Sequence, residues 1–283
     1  MIDLHTHATA SDGRCTPDEL VARAAAAGVT VLSVTDHDTV AACEAVAASC
    51  AGAGIEFVAG IEITAVGDET DVHVLGYFVD PGSASLGAFL SNQRQQRVDR
   101  IRRIIAKLAG HGITLDADAL LQPALDDPSR SVGRPWVARA MVAAGYVIST
   151  DVAFSAWLSR GRPGFVPREG AAPEAVVEQI HDAGGIASIA HPGLLKRDDW
   201  IPPLAGAGLD AIEAYHTDHG PEDTARYLAM ARRLTLAVSG GSDYHADDSH
   251  GAARPGMTSL PPDEFERLRA VRRTKGARHN SEF

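Results

Sequence analysis

The chain has 283 residues, of which 45% are hydrophobic and only 5% aromatic, and its 26 Lys+Arg against 37 Asp+Glu leave a formal net charge of −11. That length can bury a large core, and so acidic a chain is a poor binder of duplex DNA, so an anionic substrate has to be attracted locally, by metals or a few arginines. Cys15, Cys43 and Cys50 are odd in number and lack CxxC spacing, so neither a disulfide framework nor a thiolate metal site is implied, and no apolar run reaches the roughly 18 residues of a membrane span. With no basic segment leading an apolar stretch, the expectation is a cytoplasmic protein with reduced thiols and no obligate protein partner.

The opening stretch MIDLHTHATASDGR sets His5 and His7 two residues apart, directly behind the first apolar residues. Alternate side chains of a strand share a face, so the two imidazoles are aimed at a common point, as metal ligands are. TPDELVARAAAAG follows as a helix, with Thr16 as N-cap, Pro17 at the first helical position, Glu19 at the capping-box position and Gly28 at the end. VTVLSVTDHD is a buried strand that breaks into polar residues, and TVAACEAVAASCAGAG is a helix with Cys43 and Cys50 on one face. IEFVAGIEIT and VHVLGYFV read as two more strands. The alternation predicts a parallel sheet or barrel.

From about residue 88 to 170 the pattern turns helical. NQRQQRVDRIRRIIAKLAGHG is a long amphipathic helix with Val98, Ile101, Ile104, Ile105 and Leu108 on its apolar face and its arginines on a solvated one. DADALLQPA, RPWVARAMVAAGYV and TDVAFSAWLSRG are shorter helical segments. The expected organisation is a barrel of residues 1–87 and 171–283 interrupted by a helical insertion, 88–170, that caps the substrate. The βα rhythm returns with the helix APEAVVEQIHDAGG, the strands in IASIAHP, LDAIEAYHTDH and LTLAVSGGSDYHADD, and a terminal helix, PPDEFERLRAVRRT.

Most of these strands run into a histidine or carboxylate. His5 and His7 follow the first, His37 the second, Glu62 ends the third, His73 lies in the fourth, His191 ends the fifth, and Asp243 and His245 follow the last. In a parallel α/β barrel the C-terminal strand ends share one rim, where sites assemble. Six such histidines with the carboxylates of Asp12, Glu62 and Asp243 are hard to explain by chance. Mixed imidazole and carboxylate donors without thiolate suit Mn²⁺, Fe²⁺ or Zn²⁺.

DLHTHATASDG, VTDHDT, GIEIT, HVLGY, IAHP and GSDYH resemble, in order, the successive motifs of the PHP family (polymerase and histidinol phosphatase domain), over about residues 1–80 and 181–260. The resemblance implies an α/β fold, a distorted (βα)7 barrel with two or three divalent metal ions at its mouth. It implies a first ion on His5, His7, Glu62 and Asp243, a second on Glu62, His73 and His191, and a third on Asp12, His37 and His245. Position 12 can be histidine in relatives and is aspartate here, which leaves the third ion open. Glu62, His191, Asp243 and His245 are the residues expected to carry catalysis. Such a centre attracts a dianionic phosphate and lowers the pKa of bound water, so that hydroxide held between the ions is the expected nucleophile.

PHP proteins of about this length with a helical insertion here resemble a subgroup acting on nucleotides, among them nucleoside 3′,5′-bisphosphate phosphatases and 5′-3′ exoribonucleases. Arg134 in VGRPWVA and His216 in IEAYHTDH fall where that subgroup places substrate phosphates, and Arg168 in FVPREG is a third candidate. Arg134 precedes Pro135 at an expected helix start, where backbone N–H groups and a guanidinium fork can share an anion. Position 136, often histidine in relatives, is Trp136 here. The expected reaction is hydrolysis of a nucleotide-type phosphate ester: a phosphorylated small molecule or a short 5′-phosphorylated RNA. A histidinol-phosphate-type phosphatase and a non-catalytic metal-stabilised module are the alternatives. The second goes with lost ligands, whereas every ligand position here holds a competent side chain. Asp36 and Asp38 read either as partners orienting His37 or as loop caps, and His111, His181, His219, His250 and His279 as solvated or packing residues.

Overall fold

The computed structural model describes residues 1–247 and 251–279, with side chains to residue 272, so His250 and the side chain of His279 lie outside it. β1 (Ile2–Asp3) leads through α1 (Pro17–Ala26) to β2 (Val31–Val34), and α2 (Cys43–Ala53) leads to β3 (Glu56–Gly67), which folds back as β4 (Thr70–Tyr77). Next come α3 (Ala84–Ala109), α4 (Ala117–Asp126), α5 (Arg134–Ala143) and α6 (Thr150–Ala153), the last continuing as a π-helical turn over Phe154–Leu158. α7 (Pro173–Asp182), β5 (Ile186–Ile189), α8 (Pro192–Leu195) and α9 (Ile201–Gly206) follow, then β6 (Ala211–His216), α10 (Pro221–Leu234), β7 (Ala237–Gly241) and α11 (Pro262–His279). The expected N-cap of α1 forms: Thr16 and Glu19 make a reciprocal capping box.

The seven strands lie side by side in chain order, and the sheet curls until its ends meet. Just past β1 the Leu4 N–H donates to the Gly240 carbonyl of β7 at 3.2 Å, and just past β7 the Asp243 N–H donates to the His5 carbonyl at 2.8 Å. The approach is tight enough to demand glycine, because a Cβ on Gly241 would lie 2.3 Å from the His5 nitrogen. One strand departs from the parallel pattern. β4 runs antiparallel to both β3 and β5, because only Asp68 and Glu69 separate it from β3. Two residues cannot make the crossover that a parallel pair requires. Both take positive φ, 45° and 58°, as a tight hairpin turn with right-handed strand twist asks.

The apolar residues of the strands and of α7, α10 and α11 form the barrel core, and α1 and α2 pack Leu20, Val21, Val46 and the buried thiols of Cys43 and Cys50 against β2. α3 joins two layers. Its Leu86 and Leu90 belong to the barrel core, while Val98, Ile101, Ile104, Ile105 and Leu108 pack with Leu121, Val137, Met141 and Leu158 in a separate apolar cluster. Twenty-six residues make this helix about 39 Å long, enough to run from beside α7 past the barrel rim. The arginines of α3 do not all face solvent as the sequence pattern suggested. Arg97 and Arg100 are 9% and 5% exposed, and Gln93 is 1% exposed. The two arginines point inward at the rim because Asp38 and Asp71 compensate their burial, while Gln93 donates to the Thr64 carbonyl.

Candidate metal centre

His5 and His7 leave the end of β1 fully buried, and both reach the same two carboxylates. The His5 and His7 Nε2 atoms lie 3.4 and 3.3 Å from Glu62 Oε2, and 3.3 and 3.1 Å from Asp243 Oδ1. Glu62, pointing inward from β3, is the hub. Its Oε2 is 3.0 Å from His37 Nδ1, and its Oε1 is 2.7 Å from His73 Nδ1 and 3.1 Å from His191 Nε2. His73 reaches it although β4 runs the other way, because it sits early in that strand, opposite Thr64 of β3. Asp12, on the loop after β1, completes the edge: Oδ1 is 3.3 Å from His245 Nε2 and Oδ2 is 3.6 Å from His37 Nε2. The structure therefore brings the six histidines and three carboxylates singled out in the sequence into one cluster.

Two observations show that this donor set fits divalent cations. The His5 Nε2, both ring nitrogens of His7, the His37 Nδ1 and the Glu62 Oε2 are buried atoms that make no hydrogen bond, in the middle of the cluster. Buried polar atoms are almost always paired, and a cation in their midst would satisfy them together. The donors also fall into compact sets whose ligand atoms lie within 4.8 Å of one another: His5, His7, Glu62; His5, His191, Asp243; His37, Glu62, His73; and His7, Asp12, His37, His245. Burial raises carboxylate pKa values, but the surrounding imidazoles hold Glu62, Asp243 and Asp12 well below the usual range. Burial also disfavours a charged His5, yet Asp243, Glu213 and Glu62 hold its pKa well above the ordinary value. At His37 burial wins and the pKa falls to about 3. His191 and Asp243 have φ of 26° and 55°, unusual for non-glycine residues and common where a site constrains the chain.

Glu213 was not picked out in the sequence. Its Oε1 pairs with His5 Nδ1 at 2.9 Å, and its Oε2 accepts the His191 N–H at 2.7 Å, so one carboxylate orients two ligand candidates. The available signal was a charged residue inside the apolar strand AIEAYH. His216 differs from its expected place. It is buried, its Nε2 is 3.4 Å from Asp243 Oδ2, and it forms a compact group with His5 and Glu213 rather than joining Arg134. Residues three apart on a regular strand face opposite ways, but here Glu213 and Tyr215 of β6 pair with the consecutive Ser239 and Gly240 of β7. This bulge turns both Glu213 and His216 inward.

Asp36 and Asp38 do not orient His37. Asp36 accepts from the Ala8 N–H at 2.9 Å and the Ser11 hydroxyl at 2.5 Å, holding the Asp12 loop. Asp38 accepts from the Thr64 N–H at 2.9 Å, Arg97 Nε at 2.5 Å and Arg168 Nη2 at 2.6 Å. His181 and His219 are packing residues, bonded to Asp210 and to the Ala214 carbonyl, while His111 is exposed beside Trp157.

A cavity of about 190 Å³ opens from the cluster, lined at one end by Asp12, His37 and His73 and at the other by Arg97, Arg100, Arg134 and Arg168. Arg134, the first residue of α5, lies 3.3 Å from Asp71 Oδ2, which Arg100 approaches at 3.4 Å, and its guanidinium stands 5.8 Å from the Phe154 ring centroid. Four guanidiniums against the carboxylates of Asp38 and Asp71 leave this end of the cavity positively charged, inside a strongly acidic chain.

This barrel and this rim of histidines and carboxylates match known proteins. The PHP domain model matches residues 3–122. The chain is 35% identical over 268 residues to a 3′,5′-nucleoside bisphosphate phosphatase of Chromobacterium violaceum, covering 92% of this chain and 93% of that one. It is 33% identical over 250 residues to the 5′-3′ exoribonuclease Rnm of Salmonella typhimurium, covering 86% and 84%. A solved structure from Bifidobacterium adolescentis, assigned as a metal-dependent phosphoesterase, superimposes with a TM-score of 0.85 at 29% identity over 94% of each chain. The chain belongs to the PHP domain family. Among the described residues no helix is long and apolar enough to cross a membrane.

Proposed function

We propose that this chain hydrolyses a phosphate ester of nucleotide type, with the scissile phosphate at the histidine and carboxylate cluster and a second anion among the arginines. It is a phosphoesterase of the metal-dependent class. The observation that carries the reading is the single cavity joining the two ends: Asp12, His37 and His73 on one side, Arg97, Arg100, Arg134 and Arg168 on the other. A relative named a nucleoside bisphosphate phosphatase acts on a molecule with two phosphates, and a 5′-3′ exoribonuclease on a chain of them. Both substrate types present a second anion beside the one attacked.

The ligands we assign are His5, His7, Glu62 and Asp243 for one divalent ion, Glu62, His73 and His191 for a second, and Asp12, His37 and His245 for a third, with His7 also within reach. Mn²⁺, Fe²⁺ and Zn²⁺ all suit these donors. When bound, such ions supply Lewis acidity toward phosphoryl oxygens and an acidic water for attack near neutral pH. Glu62 serves two ligand sets with its two oxygens. Asp243 fixes the tautomer of His245 through its backbone carbonyl, 2.9 Å from His245 Nδ1, leaving Nε2 as a lone-pair donor facing Asp12. Arg97 and Arg168 are locked on Asp38, so they present fixed positive charge without reorganising. Arg134, less buried and loosely held on Asp71, is free to take a phosphate oxygen.

The test is an assay of metal-stripped and Mn²⁺-reconstituted protein against a nucleoside 3′,5′-bisphosphate, a short 5′-phosphorylated RNA and histidinol phosphate. Turnover only after reconstitution, with the highest kcat/KM on one of the first two, is expected. Preference for histidinol phosphate would overturn the nucleotide assignment.

A further inference from the structure

We propose that the segment of residues 130–139 sets the ion affinity of the His7, Asp12, His37 and His245 set, with Trp136 and Arg139 as positioning residues for Asp12. The inference rests on the reading of that set as an ion site. Three of its donors follow barrel strands, but Asp12 sits on a loop that carries its own carboxylate into the cluster. The backbone carbonyls of four consecutive loop residues all accept hydrogen bonds from this one segment. Arg130 Nη2 donates to Thr9 at 2.8 Å, the Ser131 N–H to Ala10 at 2.8 Å, Trp136 Nε1 to Ser11 at 3.1 Å and Arg139 Nη1 to Asp12 at 3.3 Å. On the other side Asp36 holds the Ala8 N–H and the Ser11 hydroxyl.

The loop is thus clamped between the barrel and the start of α5. Trp136 and Arg139 stand three apart on that helix, so their donors leave one face and act on adjacent carbonyls. The Arg130 guanidinium, 5.6 Å from the centroid of the Trp136 ring, braces the indole. A ligand carboxylate has to lie within a few tenths of an ångström of its ideal place, so a loop freed to turn its carbonyls to water would hold an ion less well. Glu62 and Asp243 receive no donor from this segment, and the sets built on them are predicted to be indifferent to it.

The experiment titrates Mn²⁺ into metal-free protein by calorimetry, with ion stoichiometry from elemental analysis, for the wild type, Asp12→Ala, Trp136→Phe and Arg139→Gln. Asp12→Ala identifies the binding class that belongs to the Asp12 set. Trp136→Phe, which keeps the ring and loses the N–H, and Arg139→Gln are each expected to weaken that class by about fivefold, the factor one hydrogen bond carries, with the other classes unchanged. Wild-type affinity for that class in both variants would overturn the proposal, and so would equal weakening of every class, which marks a general structural role. Should Trp136→Phe melt earlier without metal, Arg139→Gln, a change in a partly exposed side chain, decides by the same criterion. If Asp12→Ala itself leaves stoichiometry and affinities unchanged, the ion-site reading beneath the proposal fails instead.

Discussion

Arg134→Ala separates recognition of a second phosphate from chemistry at the first. In the structure Arg134 lines the arginine end of the cavity, and its one carboxylate contact, Asp71 Oδ2 at 3.3 Å, is shared with Arg100 at 3.4 Å. Truncation therefore leaves Asp71 paired, and the melting temperature should fall by less than about 4 °C. A charge-assisted hydrogen bond to a phosphate contributes about 1.5–3 kcal/mol, which corresponds to a loss in kcat/KM of ~10- to 100-fold on a nucleoside 3′,5′-bisphosphate. Binding energy from this remote anion serves to orient the reacting phosphorus, so part of the loss should appear in kcat. A small aryl phosphate has no second anion and should be turned over close to the wild-type rate. Steady-state kinetics on the two substrates decide the matter. Equal losses on both would place Arg134 at the reacting phosphate or in the fold, and no loss on the bisphosphate would remove the second anion from this cavity.

Chelation should abolish turnover and lower thermal stability, since the proposed ligands come from distant strands and ions bound to the native state stabilise it by ~4 kcal/mol at a thousandfold excess over Kd; calorimetric melting of stripped and reconstituted protein reads this, and full turnover by metal-free protein would refute it. Glu62→Gln should reduce kcat more than Asp12→Asn, because Glu62 contacts His5, His7, His37, His73 and His191 whereas Asp12 serves only the set of His7, Asp12, His37 and His245; comparable losses at unchanged metal content would refute that ranking. Asp38→Asn should destabilise the fold by ~3–5 kcal/mol in urea unfolding, because it leaves Arg97 and Arg168 buried without a countercharge. Burial would raise the Asp38 pKa, but Arg97 and Arg168 drive it far below the usual range. A depressed carboxylate stabilises above the unfolded pKa of about 4 and loses that contribution as the pH falls through the folded value. The gap between wild type and variant should therefore narrow on acidification below about pH 4, and a constant gap would refute the assignment.

Much of this protein was legible in the linear chain because the proposed ligands obey local rules. His5 and His7 share a face by the period of a strand, and His191, Asp243 and His245 follow strands that a barrel brings to one rim. Glu62, expected at a strand end, instead lies inside β3, which runs on to Gly67. The capping box at Thr16 and Glu19 and the helix start at Arg134 and Pro135 are equally local. The nature of the centre, imidazole and carboxylate without thiolate, followed from residue types alone.

What tertiary structure decided are the matters that depend on pairing across distance. That β4 runs antiparallel rests on a two-residue turn that the periodicity of the strands does not reveal. The bulge between β6 and β7 turns His216 toward Asp243 and away from the arginines, and a bulge is a property of two strands in register. Arg97 and Arg100 look like solvated helix charges until Asp38 and Asp71 are seen beside them, since burying a charge is tolerable only when its partner arrives from elsewhere in the chain. Glu213 gives no ligand motif and acquires its role only because folding brings it beside His5 and the His191 N–H. Residue types and local periods determined which chemistry the chain could hold; where each charge sits was settled by which distant partner could neutralise it.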